Sequence, residues 1–128
     1  MEPEIVLNLH SDIPIYEQIH DQIRDQILSG KLAAGQSIPS MRSLAKLLRV
    51  SVLTVQKAYE NLRDEGYILS NVGRGTVVAE VSREQILETS RQEIESLLLE
   101  ACQKAISAGI SLEEMKSIMD LFYQEENE

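Results

Sequence analysis

Basic side chains crowd one stretch of this 128-residue chain. Lys31, Arg42, Lys46, Arg49, Lys57, Arg63 and Arg74 stand against Glu60, Asp64 and Glu65, so residues 31–79 carry a net charge of +4. A locally basic surface is what binding a phosphate backbone requires. The bland alternative is an ordinary solvated helix surface. The chain as a whole is acidic, with 12 Lys plus Arg, 21 Asp plus Glu and a formal net charge of −9. As an average, that charge argues against a nucleic acid. Its distribution argues the other way. Residues 1–79 sum to −1, whereas residues 80–128 hold four basic and twelve acidic side chains, net −8.

Other chemistry finds little support. Cys102 is the single cysteine, which excludes an intrachain disulfide framework and a cysteine-rich zinc site. It borders a helical apolar stripe and reads as a small buried hydrophobe, with no sign of a reactive thiolate. His20 sits at the edge of another apolar stripe and reads as a core or interface histidine, while His10 fits no pattern. Two isolated histidines make no metal site. Gly73-Arg74-Gly75 is too short to cradle a nucleotide phosphate and precedes a strand rather than a helix. No Ser/His/Asp constellation stands out. No catalytic residue, metal or cofactor is expected, and the chain does not read as an enzyme.

The length allows one compact domain, or a small domain with an appendage. Apolar residues make up 43% and aromatics 4%, without Trp, so the core must be aliphatic. The longest apolar runs, such as Leu97-Leu98-Leu99, are far too short to span a membrane. The start, MEPEIVLNL, lacks a basic region before an apolar stretch and shows no signal peptide. These features predict a soluble cytoplasmic protein.

The periodicity shows which elements must carry the basic residues. Residues 1–13 look extended. Pro14 opens a helix whose stripe is Tyr16, Ile19, Ile23 and Ile27, and Gly30 stops it. Ser37-Ile38 reads as a short strand. Ser40 caps a short helix with Met41, Leu44, Ala45, Leu47 and Leu48. After the tight connection Arg49-Val50, Ser51 caps a second helix with Val55, Ala58, Tyr59 and Leu62 inward, ended by Gly66. That is helix-turn-helix spacing. Tyr67–Ser70 and Thr76–Ala79 are β-type runs around a Gly-rich turn at 71–75, so a hairpin wing follows, tipped by Arg74. A long helix is expected over 82–108, with a capping box at Ser82 and Gln85 and a stripe through Ile86, Ile94, Leu97, Leu98, Ala101, Ala105 and Ile106. Gly109 breaks it. Ser111 restarts a helix over 111–123, lined by Leu112, Met115, Ile118, Met119 and Phe122, before a frayed tail at 124–128. The expected class is α+β, mainly α: a winged helix-turn-helix domain at 1–79, then a two-helix arm at 80–128.

These residues resemble the GntR family of bacterial transcription regulators over roughly 14–79. The matching elements run in order: Pro14 to Ile19, Gly30-Lys31-Leu32, Gly35, Ile38 to Arg42, Leu44-Ala45, Val50-Ser51, Thr54-Val55, Ala58-Tyr59, Leu62, Glu65 to Ile68 and Gly73 to Val78. The short two-helix C-terminal part resembles the YtrA subfamily, in which it serves dimerisation and lacks a large effector cavity. The resemblance implies a homodimeric winged-helix repressor on a palindromic DNA operator. It also implies a DNA contact for Arg42. Many members carry Arg at the positions of Val52 and Gln56, so two guanine readers are missing here and recognition is expected to be more A/T-weighted. A module for protein–protein interaction, its basic surface incidental, is the alternative from another class. A small-molecule effector is left unassigned.

Individual roles follow from placement on the helix starting at Ser51. Its outward face carries Leu53, Lys57 and Glu60, flanked by Thr54 and Gln56. A recognition helix presents its N-terminal residues to the major groove. Thr54 and Gln56 can hydrogen-bond base edges, and Lys57 can reach guanine or phosphate. Leu53 either contacts a thymine methyl or covers the neighbouring turn. Lys46 and Arg49 are expected on phosphates. Ser40 is expected to serve its own helix as N-cap, the alternative being that a free N–H at that terminus binds a phosphate. Ser51, the N-cap of the recognition helix, is counted among the DNA-binding residues. Gly73 lets the wing approach closely, and Arg74 suits a narrow A/T minor groove, the alternative being a mobile surface arginine. The arm would bury its apolar stripes against a second copy across a twofold axis.

Overall fold

The computed structural model describes residues 2–127 except Val72 and Arg74. Its helices are α1 (Ile15–Leu28), α2 (Met41–Leu48), α3 (Val52–Asp64), α4 (Arg83–Ala108) and α5 (Leu112–Glu126). Two strands, β1 (Ile68–Asn71) and β2 (Gly75–Val78), lie between α3 and α4. The chain divides into two compact units, Met1–Ile86 and Leu87–Glu128. The division falls inside α4, and Ala79, Val81 and the first turn of α4 lie in the first unit.

In the first unit, α1 and α2 both pack against α3. Ile19 and Ile23 of α1, Leu44 of α2, Val55, Tyr59 and Leu62 of α3, and Ile68 of β1 meet in one apolar core, mostly aliphatic but with Tyr59 and Tyr67 buried in it. Burying each such side chain stabilises by about 1.5–3 kcal/mol. Helix ends follow the local chemistry. Ser40 Oγ accepts the Ser43 N–H and Ser51 Oγ accepts the Thr54 N–H, each at 3.1 Å. Between the two helices, Arg49 caps α2 in the left-handed region, with φ 57°. It is the only non-glycine residue with positive φ among those described. The turn is therefore closed by a residue that pays about 1–2 kcal/mol of backbone strain.

β1 and β2 pair antiparallel from Ile68↔Val78 to Asn71↔Gly75. Ser37 adds an isolated bridge to Val77, short of the strand expected at Ser37-Ile38. Ile38 N–H donates to Thr76 O at 3.0 Å and Val78 N–H to Gln36 O at 2.9 Å. The wing is thus tied to the segment that leads into α2.

The extended N-terminal segment is held in a way that periodicity did not suggest. Gln26, Gln22 and Gln18 recur every fourth residue along α1. Each side-chain amide brackets one backbone position of the segment, accepting from its N–H and donating to its carbonyl. Gln26 holds Glu4 at 3.0 and 2.7 Å, Gln22 holds Val6 at 2.9 and 2.8 Å, and Gln18 holds Asn8 at 2.8 and 3.0 Å. Four helical residues rise about 6 Å and two extended residues about 6.6–6.8 Å, so the spacings match. The alternate residues Ile5 and Leu7 pack on the core.

In the second unit, Gly109 breaks the chain with φ 78° and Ser111 caps α5 through the Glu114 N–H at 3.1 Å. Three expectations need correction. Residues 124–126 are helical rather than frayed, because Gln and Glu are good helix formers and the Asn127 N–H closes the end on Tyr123 O. Ser82 does cap α4, but the Gln85 amide reaches Glu65 O at 3.4 Å instead of completing a capping box. Cys102 is exposed, not buried. It borders an apolar groove with Ala105, Ile106, Ile110, Leu112 and Met115, because α5 covers only part of α4.

Candidate nucleic-acid interface

The helix-turn-helix brings most of the nominated cations to one stretch of surface. Arg42 in the first turn of α2, Lys46 in its last turn and Arg49 at its cap are all exposed. Among the described residues none of the three has an ion-pair partner. Lys31, counted in the same basic stretch, is different: its Nζ lies 2.8 Å from Glu4 Oε2. That hydrogen bond and the lysine's charge hold the Glu4 carboxyl below the usual carboxylate range. One cation of the segment is thereby neutralised internally.

The two reader helices are locked together from below. The Tyr59 hydroxyl of α3, fully buried, donates to Pro39 O at 2.7 Å, immediately before the α2 cap. Burial alone pushes its phenol well above the usual range, so it remains a neutral donor. At the other end of α3, His20 is buried with both ring nitrogens facing carboxylates. Asp21 Oδ1 lies at 2.8 Å and Glu65 at 2.7 Å. The histidine is a buried link between α1 and the end of α3, as its position on the stripe suggested. Among the described residues no three His, Cys, Asp or Glu side chains gather as a metal site.

On α3 the nominated readers sit at different depths. Leu53 is 74% exposed and Val52 42%. Ser51 and Lys57 are exposed, and Thr54 and Gln56 are half-buried. Lys57 does not project freely. Its Nζ lies 4.0 Å from the centre of the Tyr16 ring on α1, a cation–π contact. Gln56 Nε2 donates to Glu60 Oε1 at 3.0 Å. Ser51 Oγ lies 2.7 Å from Thr54 Oγ1. Sequence reasoning missed Tyr16 and Glu60 as partners. The i, i+4 spacing of Gln56 and Glu60 was a usable signal, whereas the Tyr16 contact joins two helices and had none. At the wing tip Gly73 is exposed with φ 83°. Arg74 lies outside the described residues.

Comparison with known proteins bears on what such a surface is for. The signature of the bacterial regulatory proteins of the GntR family matches residues 15–78. The transcriptional repressor YtrA of Bacillus subtilis (strain 168) is 35% identical over 111 residues, which cover 87% of this chain and 85% of that protein. Among solved structures, YtrA from Sulfolobus acidocaldarius, a GntR-family transcription factor, matches with TM-score 0.57 and 35% identity over 97% of this chain and all of that one. The DNA-binding domain of AraR, solved in complex with its operator ORX1, matches with TM-score 0.52 and 30% identity, covering 62% of this chain and 99% of that one. The winged reader of residues 15–78, followed by two helices, makes this chain a member of the GntR family, a DNA-binding transcription regulator of YtrA type and not an enzyme.

Proposed function

We propose that the chain acts as a homodimeric repressor that occupies a palindromic operator, one α3 per half-site in the major groove. The wing, residues 69–79, lies in the adjacent minor groove with Arg74 as the inserted cation. The observation that carries this reading is the set of exposed, unpaired cations Arg42, Lys46 and Arg49 around an exposed N-terminal turn of α3. They neutralise phosphates on either side of that turn, which fixes the helix in register. Ser51, Leu53, Thr54, Gln56 and Lys57 then face base edges or the flanking phosphates. Gly73 allows the wing backbone to approach the groove. The name of the YtrA repressor and the operator-bound state of the AraR domain support the same role.

Dimerisation is supported by the apolar surface of the second unit. Leu97, Ile106, Leu112, Leu121 and Phe122 are each more than half exposed. A twofold partner presenting the same faces would bury them. Two linked readers also raise operator affinity well beyond that of one.

The test is equilibrium binding of the full chain to its own promoter region by fluorescence anisotropy. The Arg42→Glu, Arg74→Glu double variant is expected to bind at least a hundredfold more weakly, with a shallower salt dependence. Unchanged binding by that variant would sink the operator reading.

A further inference from the structure

The first two turns of α3 are where a recognition helix meets base edges. Their polar side chains are already engaged within the protein. Ser51 Oγ takes the Thr54 N–H at 3.1 Å and pairs with Thr54 Oγ1 at 2.7 Å. One amide hydrogen of Gln56 goes to Glu60 Oε1 at 3.0 Å. The Lys57 ammonium rests 4.0 Å from the centre of the Tyr16 ring. Val52 and Leu53 stand apart from this network. They are adjacent, aliphatic, and 42% and 74% exposed. Neither joins the core of the first unit. Their exposure to water is unfavourable in the free protein, and no cap or ion pair requires aliphatic residues there. The major-groove edge of DNA offers one apolar group, the 5-methyl of thymine.

We propose that Val52 and Leu53 form an apolar pair that reads thymine methyl groups, so that this chain discriminates sequence through methyl burial rather than through guanine-reading cations. The proposal rests on α3 being the recognition helix and adds the chemical group it recognises. Successive helical residues diverge by 100°, with Leu53 at the centre of the outward face and Val52 at its flank. The two therefore reach different base pairs. Methyl burial involves no charge, so this part of the specificity does not change with salt, unlike the phosphate contacts of Arg42, Lys46 and Arg49.

The experiment uses the full chain and random-sequence duplex DNA. A bound sequence is selected, then remade with deoxyuridine at each thymine in turn, which removes only the methyl. At the contacted positions affinity is expected to fall about fourfold per methyl. The ratio stays the same at low and high salt. At those positions 5-methylcytosine is expected to bind better than cytosine by a similar factor. Leu53→Ala and Val52→Ala each abolish the thymine–uracil difference at their own position while leaving the salt dependence intact. A selected site that binds equally well with uracil throughout overturns the proposal, as does a thymine–uracil difference that survives both alanine substitutions. Both results leave the operator reading standing. Failure to enrich any sequence overturns that reading and this proposal together.

Discussion

Met1–Ile86 and Leu87–Glu128 dispose of their apolar residues in opposite ways. In the first unit Ile19, Ile23, Val55, Tyr59, Leu62 and Ile68 have no exposure at all. In the second, Ala105 is the single buried residue among those described, while Leu97, Ile106 and Phe122 are 66, 79 and 60% exposed. Both stretches carry apolar stripes when read as periodic patterns. The difference is geometric. Three helices and a hairpin can enclose a core, whereas two helices joined at Gly109 leave faces uncovered. The reader buries its own apolar residues, and the arm leaves apolar faces exposed that the proposed dimer would cover. Charge follows much the same division, with most of the excess acid in residues 80–128.

Breaking the arm while sparing the reader gives the largest expected effect. Leu97→Lys combined with Phe122→Lys is expected to make the chain monomeric in sedimentation equilibrium. Operator affinity should then fall by about a hundredfold or more, as the second half-site contact is lost. The melting of the reader should be unaffected, because neither side chain belongs to its core. A variant that stays dimeric would show that these faces are not the interface.

Next comes the lock inside the reader. Tyr59→Phe leaves the half-buried Pro39 carbonyl without its Tyr59 donor and is expected to cost about 1–3 kcal/mol in chemical denaturation. The same residue sets an alkaline limit. Its folded pKa is raised above the unfolded value of 10.0, so the unfolded chain loses a proton that the folded chain retains. The stabilisation is therefore complete below pH 10 and diminishes as pH rises beyond it. In Tyr59→Phe, denaturation midpoints should decline less steeply above pH 10 than in the parent chain.

The smallest effect is expected at the turn. Arg49→Gly relieves the strain of φ 57° but adds freedom to the unfolded chain, so stability should change by less than about 1 kcal/mol. Affinity for DNA should fall several-fold with one phosphate contact gone, and the salt slope should decrease by about one. Thermal melting and salt-titrated binding on the same variant separate the two contributions.

Much of the architecture was legible in the chain. Ser40, Ser51 and Ser111 marked three helix starts, Gly30, Gly66 and Gly109 three stops, and the aliphatic spacing gave the inward faces. Caps and periods are local signals, set by groups within a few residues of one another. The sequence also determined which stretch is basic and which acidic, since charge is a count. What only the tertiary structure decided involves residues far apart in the chain. Gln18, Gln22 and Gln26 read as an ordinary polar face until the segment around Val6 lies along them. Lys57 read as a free cation until α1 brought Tyr16 beneath it, and Lys31 until Glu4 reached it. Cys102 read as buried because periodicity assigns a face but not a cover. A helical stripe states that apolar area exists; only the packing of other elements, or of another copy, decides whether water is removed from it.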